Sequence, residues 1–162
     1  MLFRSQDKAT WGDGTPVTTR DVVFGWEVGK NPESGVPNRE LYSRISRIDV
    51  HDEKRFTVHV DKVFFDYPIR GAVPLLPAHI ETEAFTEPRE YRHRTNYDAN
   101  TTNPGLYYGP YRITEVVSGA HVVLERNPTW WGKPPHFDRI VVRVVENTAA
   151  LGASLLSGSV DR

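Results

Sequence analysis

The sequence has 162 residues, of which 38% are hydrophobic and 25% are charged, a composition typical of one soluble globular domain. Its 20 basic and 21 acidic side chains give a formal net charge of −1, which argues against a nucleic-acid-binding module, since such modules usually carry a basic surplus. The absence of cysteine excludes disulfides, thiolate catalysis and cysteine-ligated zinc.

The two ends of the sequence do not show the pattern of a complete protein. Residues 1–10 have no periodicity, and we expect them to be a non-native or unstructured lead. Residues 155–162 run past a predicted helix end, so we expect the chain to be a fragment. No apolar run is long enough to span a bilayer, and we expect a signal sequence to lie outside this chain.

A turn and a helix are predicted near the start. Residues 13–16 favour a turn, because Asp and Gly tolerate positive φ and Pro fixes the exit. Thr18 is predicted to cap a helix over residues 19–28, with Asp21 completing a pair of the capping-box type. The apolar stripe of this helix contains Val22, Val23 and Trp26, and it predicts a core position for Trp26.

Alternating apolar residues predict two β-hairpins. The first turns through residues 52–55 and carries Asp49, Thr57 and His59 on a face that we expect to be open to solvent. Its apolar face consists of Ile48, Val50, Phe56, Val58 and Val60. The second hairpin pairs Tyr111–Val117 with His121–Arg126.

Three further segments complete the prediction. Residues 86–105 are polar without a clear period and are interpreted as a long loop. Residues 140–145 are more continuously apolar, which predicts a central strand. Asn147 is predicted to cap a last helix that ends at Gly158 in the left-handed region. The buried stripe of that helix is predicted to be Ala149, Leu151 and Leu155.

No catalytic signature stands out in the sequence. The Gly12, Asp13 and Gly14 run lacks the third glycine and the preceding strand of a dinucleotide-binding loop, so a turn is the better interpretation. The six histidines have no metal-ligand spacing and are expected to be exposed or hydrogen-bonded. We therefore expect no catalytic residue, no metal and no cofactor.

Aromatic residues give the stronger signal, since they make up 11% of the chain. Tyr107 and Tyr108, together with Trp130 and Trp131, have the large flat rings that line sugar- or peptide-binding grooves. Packing of strands against helices is the alternative for each of them. Tyr107 and Tyr108 are the candidate substrate-binding residues.

Five ordered segments of the sequence form a recognisable pattern: residues 11–24 (WGDGTPVTTRDVVF), 76–80 (LPAHI), 108–111 (YGPY), 124–131 (LERNPTWW) and 155–161 (LLSGSVD). Together they resemble a known family, the extracellular solute-binding proteins of the dipeptide/oligopeptide type (family 5) that serve ABC importers. Arg20 departs from the pattern, since an acid is usual there, and Tyr108 stands where many members have Gly or Asn.

The resemblance implies a mixed α/β (α+β) fold that forms part of a two-lobed clamshell of the periplasmic-binding-protein type. This chain would hold only the N-terminal lobe. Residues 11–62 are expected to form part of a small β-rich subdomain, and residues 63–162 the sheet and helices of the lobe.

The resemblance also implies a function: capture of peptides or related small solutes outside the cytoplasm and delivery to ABC permease subunits. The protein would be periplasmic or a cell-surface lipoprotein, would meet the membrane only through its transporter, and would not be an enzyme. An alternative of another class is a carbohydrate-binding or carbohydrate-active module that uses surface aromatics; as an enzyme it would need two converging carboxylates.

Overall fold

The structure, a computed structural model, describes residues 2–37, 39–62 and 75–160, which fold into helices and two antiparallel sheets. The strands are β1 (Leu2–Arg4), β2 (Ile45–Val50), β3 (Arg55–Val60), β4 (Tyr111–Val117), β5 (His121–Arg126) and β6 (Arg139–Arg143). The helices are α1 (Thr19–Lys30), α2 (Arg39–Ser43), α3 (Ala78–Ala84), α4 (Tyr91–Arg94), α5 (Asn96–Ala99) and α6 (Thr148–Leu156), with a 3₁₀ turn at Pro104–Leu106. Within the described ranges, each helix is too short or too polar to cross a bilayer.

The first sheet has the strand order β1-β3-β2 and confirms the first predicted hairpin. Ile48 lies opposite Val58 and Asp49 opposite Thr57, so apolar and polar pairs alternate between the two faces. Phe56 and Val58 are buried, whereas the Asp49 carboxylate lies on the open face, 2.8 Å from the His59 imidazole. The face with Asp49, Thr57 and His59 is therefore the solvent side, as predicted.

Helix α1 lies between two hydrophobic clusters. It begins at Thr19 and has Thr18 as its N-cap, as predicted. The Asp21 carboxylate accepts the Thr18 N–H at 2.8 Å, which satisfies one of the free donors of the first turn. Val22 packs on the first sheet, while Val28 packs toward α3 and α4. Trp26 lies partly buried against the sheet cluster, and its indole N–H donates to the Tyr42 carbonyl at 3.3 Å.

The prediction that residues 1–10 are unstructured is wrong. Strand β1 pairs antiparallel with β3, with Leu2 opposite Thr57 and Arg4 opposite Arg55. Phe3 stacks on Phe56 with ring centroids 5.3 Å apart. A three-residue strand shows no periodicity by itself, and a neighbouring strand edge supplies its hydrogen bonds. That the segment is non-native remains a prediction, and so do the domain boundaries expected from the sequence.

The interpretation of residues 86–105 as a loop is also wrong in part. The segment contains α4, α5 and the 3₁₀ turn, joined by short connections. Each piece spans one turn or little more, so no helical period could emerge from the sequence. Hydrogen bonds to the Glu81 carboxylate on α3 hold the first two of these turns in place.

The second sheet has the order β4-β5-β6 and confirms the second hairpin, with its turn at Gly119. The prediction of a central strand at residues 140–145 is wrong, because within the described residues β6 is an edge strand and β5 is central. Val142 on β6 is 53% exposed. A continuous apolar run indicates a strand surface that another element can bury, but no element in the described ranges buries this surface of β6.

Helix α6 confirms its predicted ends but not its predicted burial. The Asn147 side chain accepts the Ala150 N–H, and Gly158 has a φ of 70°. Ala149, Leu151 and Leu155 were predicted to form a buried stripe, which is wrong, since all three are exposed. No residue of this helix is buried within the described part of the chain.

Candidate ligand-binding site

Tyr107 and Tyr108 follow the 3₁₀ turn and precede β4, and the structure gives them different surroundings. The Tyr107 ring is partly buried, and its hydroxyl donates to the Thr101 carbonyl. Burial raises the pKa of the Tyr107 hydroxyl. Tyr108, by contrast, is 43% exposed. The exposed surface of the pair therefore belongs mainly to Tyr108.

Trp11 lies beside Tyr108 and has no exposed surface at all. The two rings meet edge to face, with centroids 5.3 Å apart and planes at 84°. Such a pair contributes about 0.5–1.5 kcal/mol beyond the area it buries. Trp11 thus forms a rigid support for the exposed tyrosine.

The turn after Trp11 confirms the turn interpretation of residues 13–16. The Trp11 carbonyl accepts the Gly14 N–H at 2.9 Å, and the Trp11 N–H donates to the Thr15 carbonyl at 2.8 Å. Gly14 has a φ of 90°, a region that L side chains rarely adopt. The backbone of Trp11 is therefore fixed by its own turn.

This turn packs backbone against backbone on the 3₁₀ turn that leads into Tyr107. A Cβ on Gly12 would lie 2.4 Å from the Pro104 carbonyl oxygen. A Cβ on Gly105 would lie 2.6 Å from the nearer Asp13 carboxylate oxygen. The approach at Gly12 is to backbone, so a side chain there would separate the two turns that hold Trp11 and Tyr108, whereas a side chain at Gly105 would displace the side chains of Ile80 and Asp13.

Asp13 and His79 join this support across the sequence. The Asp13 carboxylate lies 2.8 Å from Nε2 of His79, in the first turn of α3, and also accepts the Thr15 N–H at 2.9 Å. Partial burial by itself would raise the pKa of Asp13, but the Thr15 N–H and the His79 imidazole together lower it. The His79 ring in turn lies 6.2 Å from the Trp11 ring.

Glu81 is a fully buried carboxylate on α3 that organises the segment before the two tyrosines. It accepts hydrogen bonds from the Tyr91 hydroxyl (2.8 Å), the Thr95 hydroxyl (2.7 Å) and the Asn96 N–H (2.8 Å). Burial, reinforced by the Glu81 carboxylate, raises the pKa of Tyr91. These bonds fix α4 and the start of α5 on α3.

Helix α5 is in turn hydrogen-bonded to the segment that carries Tyr107 and Tyr108. The Tyr97 hydroxyl donates to the Leu106 carbonyl at 3.1 Å, directly before Tyr107. Burial, together with the Glu81 charge, raises the pKa of Tyr97. Glu81 and Tyr97 therefore hold the backbone that presents Tyr107 and Tyr108.

The second sheet is attached at the same place. The Asn127 side-chain amide donates to the Gly109 carbonyl at 2.9 Å, and the Thr129 hydroxyl donates to the Trp11 carbonyl at 3.1 Å. Trp130 and Trp131 follow, with ring centroids 4.7 Å apart. The Trp130 indole N–H donates to the Lys133 carbonyl, while the Trp131 ring stays exposed. The structure records no ring contact between Trp131 and Tyr108 among the described residues.

Sequence reasoning missed Asp13, His79 and Glu81 as parts of this support. Asp13 and His79 lie in two of the segments that resemble the family, but the residues around each of them do not indicate that the two side chains meet. The expectation that histidines are exposed or hydrogen-bonded is confirmed for His51, His59, His79 and His121. In the described ranges, no group of three or more His, Asp or Glu side chains is arranged to hold a metal ion.

The fold defines the class of protein. The chain superimposes on an oligopeptide-binding protein of Thermus thermophilus complexed with a pentapeptide, with a TM-score of 0.82, 26% identity, and 99% of this chain and 31% of that chain covered. It also superimposes on a lactococcal protein complexed with an endogenous peptide, with a TM-score of 0.82, 23% identity, and 99% and 32% covered; at that identity the likeness shows the fold alone.

The chain belongs to the bacterial extracellular solute-binding proteins, family 5, whose middle region it matches over residues 6–162. It is 30% identical to a putative binding protein of Brucella melitensis, over 98% of this chain and 26% of the relative. It is 28% identical to a probable D,D-dipeptide-binding periplasmic protein of Escherichia coli, over 98% and 30%. The chain thus spans between a quarter and a third of the length of these relatives, and the resemblance inferred from the sequence is confirmed.

Proposed function

We propose that this chain is part of the substrate-binding component of an ABC importer, which captures peptides or related small solutes outside the cytoplasm. The family match over residues 6–162 carries this proposal. The names of relatives support it, since the Escherichia coli protein is named as dipeptide-binding and the Thermus thermophilus protein holds a pentapeptide.

Tyr108 is the main ligand-contacting residue in this proposal, and Tyr107 contributes the accessible part of its ring. An exposed aromatic ring buries a large apolar area at low entropic cost when a ligand covers it. The buried Trp11 and the two packed turns hold Tyr108 before the ligand arrives, which lowers the ordering cost of binding. The Tyr107 hydroxyl is already used by Thr101, so it orients the ring rather than the ligand.

Binding on this surface needs no chemical step, and we propose that the protein is not an enzyme. Among the described residues, the buried carboxylates are those of Asp21 and Glu81, and both accept hydrogen bonds from donors of the chain itself. A general acid or base must instead face the substrate. The energy for import would come from ATPase subunits on other chains.

The mechanism in the proposed whole protein is a population shift. A ligand that touches two lobes only when they are closed stabilises the closed state, which then docks on the permease. The protein would act in the periplasm or at the outer cell surface and meet the membrane through the transporter. Because this chain supplies only part of the ligand contacts, its own affinity for peptides should be weaker than micromolar.

A carbohydrate-binding module is the second candidate function, because three aromatic side chains of the described residues are exposed. Tyr108, Trp131 and Phe137 each offer a flat apolar face of the kind that stacks on sugar rings. This alternative predicts that oligosaccharides, rather than peptides, perturb the signals of those rings.

Nuclear magnetic resonance titration of the isotope-labelled chain separates the two functions. A pool of di- to pentapeptides should shift the ring signals of Tyr108 at millimolar concentration, and a pool of oligosaccharides should not. Tyr108→Ala should abolish the peptide-induced shifts of the backbone amide signals around position 108, whereas Trp131→Ala, which removes another exposed ring, should preserve them. Peptide shifts unaffected by replacing both Tyr107 and Tyr108 with Ala would remove these residues from the site.

A further inference from the structure

The indole N–H of Trp11 has no hydrogen-bond acceptor among the described residues, although the side chain is completely buried. The indoles of Trp26 and Trp130, by contrast, donate to the carbonyls of Tyr42 and Lys133. The orientation of the Trp11 ring is therefore set by the groups packed on it and not by its own polar atom. Those groups include the rings of Tyr108 and His79.

Two carboxylates restrain His79, one through the backbone of its helix and one through its ring. The Asp21 carboxylate accepts the Ala78 N–H at 2.9 Å and so anchors the first turn of α3, from which His79 projects. The Asp13 carboxylate binds Nε2 of His79 through one oxygen and the Thr15 N–H through the other. The imidazole consequently has one preferred orientation beside Trp11.

We propose that Asp13 and His79 are positioning residues for Tyr108 and that they act through the Trp11 ring. The proposal rests on the proposed role of Tyr108 as the ligand-contacting residue. Asp13 holds His79, His79 packs beside Trp11, and Trp11 meets Tyr108 edge to face. Loss of the contact between Asp13 and His79 frees the imidazole and lets the Trp11 ring move. The exposed Tyr108 ring then adopts a broader range of orientations.

The size of the effect follows from the bond that is lost. The net contribution of one hydrogen bond corresponds to a factor of about three to ten in an equilibrium constant. If the whole of this contribution orients Tyr108, peptide affinity falls by the same factor.

The test measures the Trp indole N–H signals, which fall in a separate region of the ¹H–¹⁵N spectrum, and the ring signals of Tyr108. Trp11→Phe and Tyr108→Ala assign the two residues. His79→Ala removes the imidazole, whereas His79→Gln places an amide N–H near the position of Nε2 and should restore the bond to Asp13. Asp13→Asn keeps an acceptor for Thr15 but weakens the contact with His79. The matched control is His121→Ala, which breaks another histidine–carboxylate contact, with Glu115, on the second sheet.

We expect His79→Ala and Asp13→Asn to shift the signals of both Trp11 and Tyr108 and to weaken binding of the peptide pool by about three- to tenfold. His79→Gln should stay within twofold of the unchanged chain, and His121→Ala should leave the signals and the affinity unchanged. Tyr108 signals that stay in place in both His79→Ala and Asp13→Asn would overturn the inference. Failure of the proposed function is a separate result: the unchanged chain would then show no peptide response, while the signals of Trp11 and Tyr108 would still report on the positioning.

Discussion

The hydroxyl of Thr129 donates to the backbone carbonyl of Trp11 at 3.1 Å, across 118 positions of the sequence. The same hydroxyl also contacts the Asn127 side chain at 2.9 Å. This contact attaches the second sheet to the turn that supports Tyr108. The candidate site is therefore built where the connection after β5 meets the turn at Trp11.

Replacing Thr129 with Val should weaken this junction. Val has nearly the same shape but no hydroxyl, so the Trp11 carbonyl and the Asn127 side-chain oxygen lose the donor that they share, and we expect the free energy of unfolding to fall by about 1–2 kcal/mol. Urea denaturation followed by circular dichroism measures the change. Thr129→Ser, which keeps the hydroxyl, is the control; a Ser variant as unstable as the Val variant would show that the methyl group matters and not the hydrogen bond.

The buried carboxylate of Glu81 should be more sensitive to substitution than any exposed acid. In Glu81→Gln, one acceptor becomes an amide donor facing donors of Tyr91, Thr95 or Asn96. We expect a loss of about 2–4 kcal/mol, since partners of a buried group are left unsatisfied. Glu83→Gln, an exposed substitution on the same helix, should change stability by less than about 0.5 kcal/mol. Equal effects at the two positions would contradict the role assigned to Glu81.

Two glycines should respond in opposite directions to alanine. Gly12→Ala places a Cβ 2.4 Å from the Pro104 carbonyl oxygen, so the two turns must separate, and we expect a loss of stability of about 1–3 kcal/mol. Gly152→Ala in α6 meets nothing within 4 Å and should stabilise the helix by up to about 1 kcal/mol. Thermal unfolding of both variants tests the pair. A Gly12→Ala variant as stable as the unchanged chain would show that the close approach is not required.

Stability in acid should depend on Asp52 in the turn of the first hairpin. Hydrogen bonds from the Lys54 N–H and from the Arg55 side chain, the first being the stronger influence, lower the pKa of Asp52 from 3.8 to about 2. A carboxyl with a lowered folded-state pKa contributes stability above its unfolded value, and that contribution disappears as the pH falls from 3.8 toward 2. Asp52→Asn should therefore flatten the pH dependence of the urea midpoint in that interval. Asp61→Asn, at an exposed position, should leave the slope as it is.

The parts of the fold that the sequence predicts are those decided by local rules. Asp21 lies three residues after Thr18, and that spacing alone sets the start of α1. The alternation around Phe56 and Val58 fixes which face of β3 is buried. Spacing of this kind is visible in a single sequence because both partners belong to the same element.

The candidate site was only partly predictable, because its support consists of contacts between distant segments. Asp13 and His79 are 66 positions apart, and neither residue shows by its neighbours that it has a partner. The different surroundings of Tyr107 and Tyr108 depend on Thr101 and Trp11, which no local pattern connects to them. The error at Leu151 and Leu155 has another cause: an apolar stripe predicts that a surface can be buried, but not what buries it.

That open surface leads to the last prediction. Val142 on β6 and Leu156 on α6 are 53% and 92% exposed, and β6 also presents an unpaired strand edge within the described residues. We expect the isolated 162-residue chain to self-associate at micromolar concentration, because contact between copies removes this apolar surface from water and pairs the strand edge. Sedimentation velocity should show this, and Val142→Lys combined with Leu156→Lys should shift the chain toward the monomer. Val50→Lys places the same charge on an exposed valine of the first sheet and should leave association unchanged. A chain that is already monomeric at these concentrations would show that the open apolar surface is tolerated in water.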